Sequence, residues 1–240
     1  KSIFVCERAA CAGAGELLAK RGQFEVREKG PADLVTSADL ASEEAICRMI
    51  KESYPAHVIL GEERGLEDGA EDADYLWVID PLDGTTNYVH DLPFYCVSVA
   101  VRQGGETLVG TVIDPLRQEV FQAAKGRGAT RNGLPITVRS CHALDEAMLA
   151  ISLPPQPTNL PGEIARLAKL APLCRAFRRL GAAALILSYI AAGRIDGYWA
   201  SQINLWDRAA GELLVREAGG VLGDLEGNTL SSTSSGLLAA

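Results

Sequence analysis

Histidine is scarce in this 240-residue chain: His57, His90 and His142 stand far apart, at no spacing a zinc site uses, which argues against a histidine-built metal centre. The six cysteines, Cys6, Cys11, Cys47, Cys96, Cys141 and Cys174, include no CxxC pair and sit singly in apolar stretches. They read as reduced core thiols of a cytoplasmic protein rather than as a disulfide framework. No Gly-x-Ser-x-Gly elbow occurs, so serine-hydrolase chemistry has no support. Long apolar runs are missing too. The longest, residues 181–193, falls short of the roughly 20 residues a spanning helix needs. The opening stretch starts at Lys1 and is broken by Glu7 and Arg8, which suits neither a signal peptide nor a membrane span. Positive charge is in the minority, 23 basic against 31 acidic residues for a formal charge of −8, which disfavours direct nucleic-acid binding and leaves room for a local anion pocket.

What the chain does have is apolar content, 48% of its residues, ample for a substantial core. Apolar residues recur with helical spacing over residues 3–20 and again at Ala38, Ala41, Ala45, Ile46, Met49 and Ile50, predicting two amphipathic helices. Strand-like runs follow at residues 57–60, 75–79 and 95–101, and the first two lead straight into acidic residues. Residues 107–113 and 120–123, punctuated by Gly104-Gly105, Asp114-Pro115 and Asn132-Gly133, predict antiparallel hairpins. The stretch 153–161, with four prolines, is the candidate boundary between an α+β half (1–152) and an α/β half (153–240) that together make one unit. Beyond it, helix patterns at 163–170, 182–192 and 208–218 alternate with strand-like runs at 195–200 and 221–223, and the Ser-rich end reads as a loop before an unfinished strand.

The sharpest segment is Leu76-Trp77-Val78-Ile79-Asp80-Pro81-Leu82-Asp83-Gly84-Thr85-Thr86-Asn87. An apolar strand should end at Asp80, stopped by Pro81, with Asp83 one turn later. Gly84 permits a tight bend, and Thr85, Thr86 and Asn87 can cap a helix whose free N–H groups would face an anion. Two carboxylates this close repel unless one is protonated or a cation lies between them, and hard oxygen ligands suit magnesium. Glu62 in Gly61-Glu62-Glu63 and Asp207 in Trp206-Asp207 could complete such a site. Each has a plainer reading, Glu62 in a solvated turn and Asp207 as a helix cap; Asp39, three residues after Thr36, could likewise be half of a capping box.

These motifs in this order, with Ala209-Ala210-Gly211 and Glu217-Ala218-Gly219-Gly220 after Asp207, resemble the inositol monophosphatase family from about Asp33 to Gly223. The resemblance implies a layered αβαβα sandwich of the sugar phosphatase type, mixing α+β and α/β halves. It also implies two or three Mg2+ ions, lithium sensitivity, a homodimer, and a small phosphorylated metabolite as substrate. Carried over by position, the metal ligands are Glu62, Asp80, the Leu82 carbonyl, Asp83 and Asp207. Glu62 and Thr85 position the attacking water, Asp39 orients the Thr85 hydroxyl, and the Gly84 and Thr85 N–H groups hold the phosphate. Asp83, Gly181, Ala182, Ala183 and Asp207 line the substrate side. Lys29 lies near a loop lysine of the family and is kept outside this set.

The sequence departs from the family pattern on the substrate side. Ala182 stands where the family has a hydroxyl residue, and Ala200, seven residues before Asp207, where inositol-hydrolysing members carry glutamate. A lost partner for a substrate hydroxyl costs about 1–3 kcal/mol, which weakens the choice of myo-inositol phosphate against histidinol phosphate, fructose bisphosphate, adenosine bisphosphate or NADP phosphate. A regulatory binding protein on the same fold is the alternative from another class, and loss of a ligand carboxylate would have favoured it.

Overall fold

A computed structural model describes residues 2–30, 33–67, 74–153, 157–231 and 234–240. Helices α1 (Ser2–Lys20) and α2 (Ser37–Ser53) open the chain, with a hairpin of β1 (Val26–Gly30) and β2 (Asp33–Thr36) between them. Thr36 caps α2: its hydroxyl accepts from Ala38 N at 3.1 Å, and Asp39 closes the box by accepting from Thr36 N at 2.9 Å.

The first sheet holds β3 (Val58–Gly61), β4 (Gly65–Leu66), β5 (Leu76–Asp83), β6 (Cys96–Gln103), β7 (Glu106–Asp114), β8 (Glu119–Ala124), β9 (Ala129–Arg131) and β10 (Leu134–Ile136), in the spatial order β10-β9-β8-β7-β6-β5-β3-β4. β3 runs parallel to β5 and its other neighbours pair antiparallel. A short helix, α3 (Thr85–Val89), links β5 to β6. The second sheet contains β11 (Met148–Ser152), β12 (Ala176–Arg178), β13 (Gly197–Ala200), β14 (Leu222–Gly223) and β15 (Leu237–Ala239), in the order β12-β11-β13-β15-β14. The tail run expected as an unfinished strand is thus β15, paired on both sides. Helices α4 (Leu160–Leu170), α5 (Ala183–Ala191) and α6 (Leu205–Glu217), with a single 3-10 turn at Leu144–Glu146, complete the described elements.

Strand periodicity sorts the layers. On β6, Val97, Val99 and Val101 join one core with α1 and α2, while Cys96 and Ala100 join the other with α5 and α6. That second core continues into Ala150, Tyr198 and Leu237, so α5 and α6 are sandwiched between the sheets. On the second sheet, buried Trp199 donates its Nε1 to Glu163 of α4 at 3.4 Å. The order α1/α2, first sheet, α5/α6, second sheet, α4 gives the layered α+β fold. Pro154, Pro155 and Gln156 of the Pro-rich stretch lie outside the described residues; α4 starts within its last two residues, capped by Asn159 Oδ1 accepting from Gly162 N at 3.0 Å. All six cysteines are free thiols, but Cys6 and Cys96 alone are buried and Cys11 is exposed, so the expectation that all six sit in the core needs correcting. No helix among the described residues is long and apolar enough to cross a membrane.

Candidate active site

β5 does not stop at Pro81. It runs to Asp83, and its register against β6 shifts between Asp80, opposite Ser98, and Asp83, opposite Cys96. Two residues on β5 therefore face one on β6, and Pro81, which has no N–H to give a ladder, sits in the bulge. The bulge sets Asp80 and Asp83 on either side of a local kink instead of beyond the end of a strand. Asp80 Oδ1 accepts from Leu82 N at 3.0 Å, closing the kink on itself.

The capping expectation is corrected as well. Thr85, Thr86 and Asn87 lie inside α3, and its N-cap is Gly84 with no side-chain cap bond. Gly84 has φ +98°, and a Cβ there would come within 3.1 Å of Phe94 O and 3.3 Å of the Ala182 methyl, so glycine is required twice over. The first-turn N–H groups of α3 have no partner within the helix. Asn87 donates to Phe94 O at 2.6 Å and Leu180 O at 2.7 Å, fastening the segment that begins at Gly181 to α3.

Asp83 is anchored across the chain at the start of α5. Its Oδ1 accepts from Ala183 N at 3.1 Å and its Oδ2 from Ala184 N at 2.7 Å. The Ala183 N–H, expected to face substrate, is thus given to Asp83. Asp207 lies in the first turn of α6, where its Oδ2 accepts from Asn204 N at 2.9 Å. Glu62 begins the turn between β3 and β4, its N–H bonded to Ile79 O at 3.2 Å beside Asp80.

Electrostatics ties the four carboxylates into one group. Burial, then the charge of Asp207, pushes Asp83 up to about 7. Burial raises Asp207 to about 6 against the hydrogen bonds it accepts. Burial also lifts Glu62 to about 8, with Asp207 and Glu63 adding to it and Lys29 opposing. Asp80 is raised well above the usual carboxylate range by burial and by the charges of Glu62, Asp83 and Asp207, and it shares hydrogen bonds with Glu62 and Asp207. Among the described residues no three acidic, histidine or cysteine side chains are placed to hold a metal ion, yet the mutual raising of the four carboxylates is a demand for positive charge. Lys29 of β1 meets part of it, with Nζ 3.3 Å from Glu62 Oε1 and 2.5 Å from Glu63 Oε1, so the residue left outside the set lies beside it.

Thr85 adjoins this group. Its hydroxyl lies 3.1 Å from both Asp39 Oδ1 and Leu82 O, while Asp39 Oδ2 accepts from Thr36 N at 2.9 Å and Thr36 Oγ1 at 2.5 Å. Both sequence readings of Asp39, half of a capping box and partner of Thr85, describe the same buried side chain.

On the substrate side, Ala182 and Ala200 are fully buried, and Trp199 is a core residue. Gln202 Oε1 and Trp206 Nε1, close to Asp207 in the chain, are buried without hydrogen-bond partners among the described residues. His90 is exposed at the end of α3, and Arg175, Arg178 and Arg179 are exposed near β12. Sequence reasoning missed Ser42 and Glu43, fully buried polar residues of α2. It also missed a cavity of about 370 Å³ along another face of α6, lined in part by Arg102, Arg208, Glu212 and Arg216.

Two mixed sheets around a helical layer, with acidic side chains gathered where β5 and α6 meet, define a layered fold of the sugar phosphatase type. The chain belongs to the inositol monophosphatase family, whose sequence model matches residues 1–240. It is similar to Nus factor SuhB of Pasteurella multocida, with 46% identity over 232 residues that cover 95% of this chain and 86% of that protein. Among solved structures it is similar to extragenic suppressor protein SuhB from Bartonella henselae, at TM-score 0.95 and 34% identity, covering 100% of this chain and 93% of that one. It is also similar to inositol monophosphatase from Anabaena (Nostoc), at TM-score 0.88 and 36% identity, covering 99% and 89%.

Proposed function

We propose that the chain hydrolyses a small phosphomonoester by magnesium-dependent attack of water. The observation that carries this reading is the four-carboxylate cluster held next to the Thr85–Asp39 pair. An all-oxygen donor set whose members raise one another's pKa fits a hard divalent cation. Mg2+ held by Glu62, Asp80, Asp83, Asp207 and the Leu82 carbonyl would offset that repulsion, polarise the phosphoryl group and acidify a water.

The protein's own groups do the rest. Asp39 Oδ2 is fixed by Thr36, which leaves Oδ1 to draw the Thr85 hydroxyl proton and turn a Thr85 lone pair toward the water. Glu62 takes the other side of that water. The backbone N–H groups at Gly84 and Thr85 cradle the phosphate, and Gly181, Ala182 and Ala183 form the wall against the leaving alcohol. With Ala182 and Ala200 lacking polar side chains, that wall does not demand a ring of hydroxyls, so myo-inositol phosphate is one candidate among the family's phosphomonoesters.

The test is phosphate release from a panel including both myo-inositol monophosphates and histidinol phosphate, with magnesium, with EDTA, and with Asp83→Asn. Release that needs magnesium and disappears in Asp83→Asn supports the reading; a folded protein that releases nothing from the whole panel refutes it. The same samples test the lithium inhibition and the homodimer expected of the family, by inhibitor titration and sedimentation. A second reading, regulatory binding on the same scaffold, is favoured by the name of the sequence relatives, Nus factor SuhB. It predicts that Asp83→Asn still replaces such a relative in cells, whereas the hydrolytic reading predicts that it does not.

A further inference from the structure

Helix α2 sends three polar side chains, Asp39, Ser42 and Glu43, into the protein at positions i, i+3 and i+4, and all three are fully buried. Asp39 is accounted for by Thr85. The other two are each bonded to the backbone of a different loop of the site.

Glu43 reaches the turn that carries Glu62. Its Oε2 accepts from Glu63 N and its Oε1 from Arg64 N, both at 3.1 Å. The fit is close: a Cβ on Gly61 would lie 2.2 Å from Glu43 Oε1 and 2.9 Å from its Cδ, so the chain passes over this carboxylate as glycine immediately before Glu62. A buried carboxylate is expensive to keep out of water. Here its acceptor oxygens meet the N–H groups of a three-residue turn that sheet pairing leaves unbonded. Ser42 does the equivalent for the bulge, its Oγ donating to Pro81 O at 2.8 Å. Because the bulge takes Pro81 out of the ladder, that carbonyl needs a partner from another element, and Ser42 supplies it between Asp80 and Asp83. The Ser42 hydroxyl is hemmed in by α1, since a Cβ on Gly13 would stand 2.6 Å from it.

We propose that Glu43 and Ser42 are positioning residues for the metal site: one face of α2 acts as a jig that fixes Glu62, the Asp80–Asp83 bulge and Thr85 relative to one another. The inference rests on the reading of Glu62, Asp80 and Asp83 as metal ligands. Partners that orient ligands from behind are worth about 10- to 100-fold in metal affinity, and Glu43 is set to act on that scale. Glu43→Gln keeps one acceptor and turns an amide N–H2 toward a backbone N–H, so the turn loses one bond and gains a clash of donors.

The experiment is Mn2+ binding to the full chain, with free Mn2+ counted by electron paramagnetic resonance, for the wild type, Glu43→Gln, Ser42→Ala and Ile50→Val. Ile50 is a buried apolar residue of the same helix and reports plain loss of packing. The expected result is a Kd raised about 10-fold or more by Glu43→Gln and by a smaller factor by Ser42→Ala, while Ile50→Val lowers the melting temperature and leaves the Kd alone. Thermal melts in EDTA show which variants are folded, and Ser42→Ala carries the test if Glu43→Gln is not. Wild-type affinity in the folded polar variants, or an equal loss in Ile50→Val, overturns the inference and leaves the ligand reading standing. No binding by the wild type removes the ligand reading itself.

Discussion

Replacing Asp83 by asparagine should remove part of the dependence of stability on pH. In the metal-free protein Asp83 is raised from its ordinary 3.8 to about 7, by burial and by Asp207. Because the folded-state pKa lies above the unfolded one, the native state keeps a proton that the unfolded chain gives up between these values. Stability therefore falls as pH rises through that window, by 1.36 kcal/mol per pH unit for one such group, and levels off above the folded pKa. Between pH 5 and 8 this amounts to roughly 3 kcal/mol, an upper limit because the neighbouring carboxylates share protons. Asp83→Asn abolishes this contribution. It also gives up one of the two N–H partners at the start of α5, Ala183 N or Ala184 N, at about 1 kcal/mol. By pH 5 the titration has already cost the wild type about 1.6 kcal/mol, so the variant should lie near the wild type there and be more stable at pH 8. For a chain of this length the swing between pH 5 and 8 is roughly 6–12 °C in Tm. The assay is thermal unfolding of both proteins in EDTA at pH 5, 6, 7 and 8, repeated with magnesium, which should flatten the wild-type profile. Parallel profiles for the two proteins without metal would refute the reasoning, since Asp83 would then not be titrating against its neighbours.

Thr85→Ala should lower kcat by about 10²–10⁴-fold while leaving Mn2+ affinity unchanged, and Thr85→Ser should restore most of it, because the hydroxyl facing Asp39 is what matters; steady-state kinetics with direct metal titration separates the two effects. Asn87→Ala leaves Phe94 O and Leu180 O without their partner and should cost about 1–3 kcal/mol in urea unfolding, with KM rising as the Gly181 segment loosens. Ala182 is the N-cap of α5 with no side-chain bond, so Ala182→Ser should raise stability by about 0.5–1 kcal/mol in the same assay, and a loss would mean that the fully buried position has no room for the hydroxyl.

The sequence shows most clearly the elements that one period can describe. Helical apolar patterns mark α1, α2, α5 and α6, and strand-like apolar runs mark β6, β7 and β8, because the residues each sends into a core lie within one short window. β11 and β12 are not legible: they are short, and they exist through parallel pairing with strands distant in the chain, a non-local contribution no window contains. The two-residue β4 is beyond reach for the same reason. Reading Pro81 as a stop was reasonable local chemistry that missed the bulge, since only the partner strand reveals that two residues oppose one. Ser42 and Glu43 were hidden differently. Reading α2 by its apolar positions treats the polar ones between them as solvated, and the N–H groups that justify burying Glu43 lie twenty residues away in a turn with no pattern of its own.

The same blindness explains why helix cap and site residue look like competing roles in the sequence but not in the structure. A carboxylate has two oxygens with about four acceptor positions between them, and a helix terminus uses only some of these. Asp39 gives Oδ2 to the Thr36 cap and Oδ1 to Thr85; Asp207 gives Oδ2 to Asn204 N; Asp83 accepts from the first turn of α5. In each case the cap bond fixes the side chain's direction by tying it to a helix that is itself packed in a core. On Asp83 and Asp207 acceptor positions are left over, and their charges act on the neighbouring Asp80. On the proposed metal-site reading, capping would make Asp83 and Asp207 better ligands, because rotamer freedom lost to the helix terminus is freedom that need not be lost again when a cation binds.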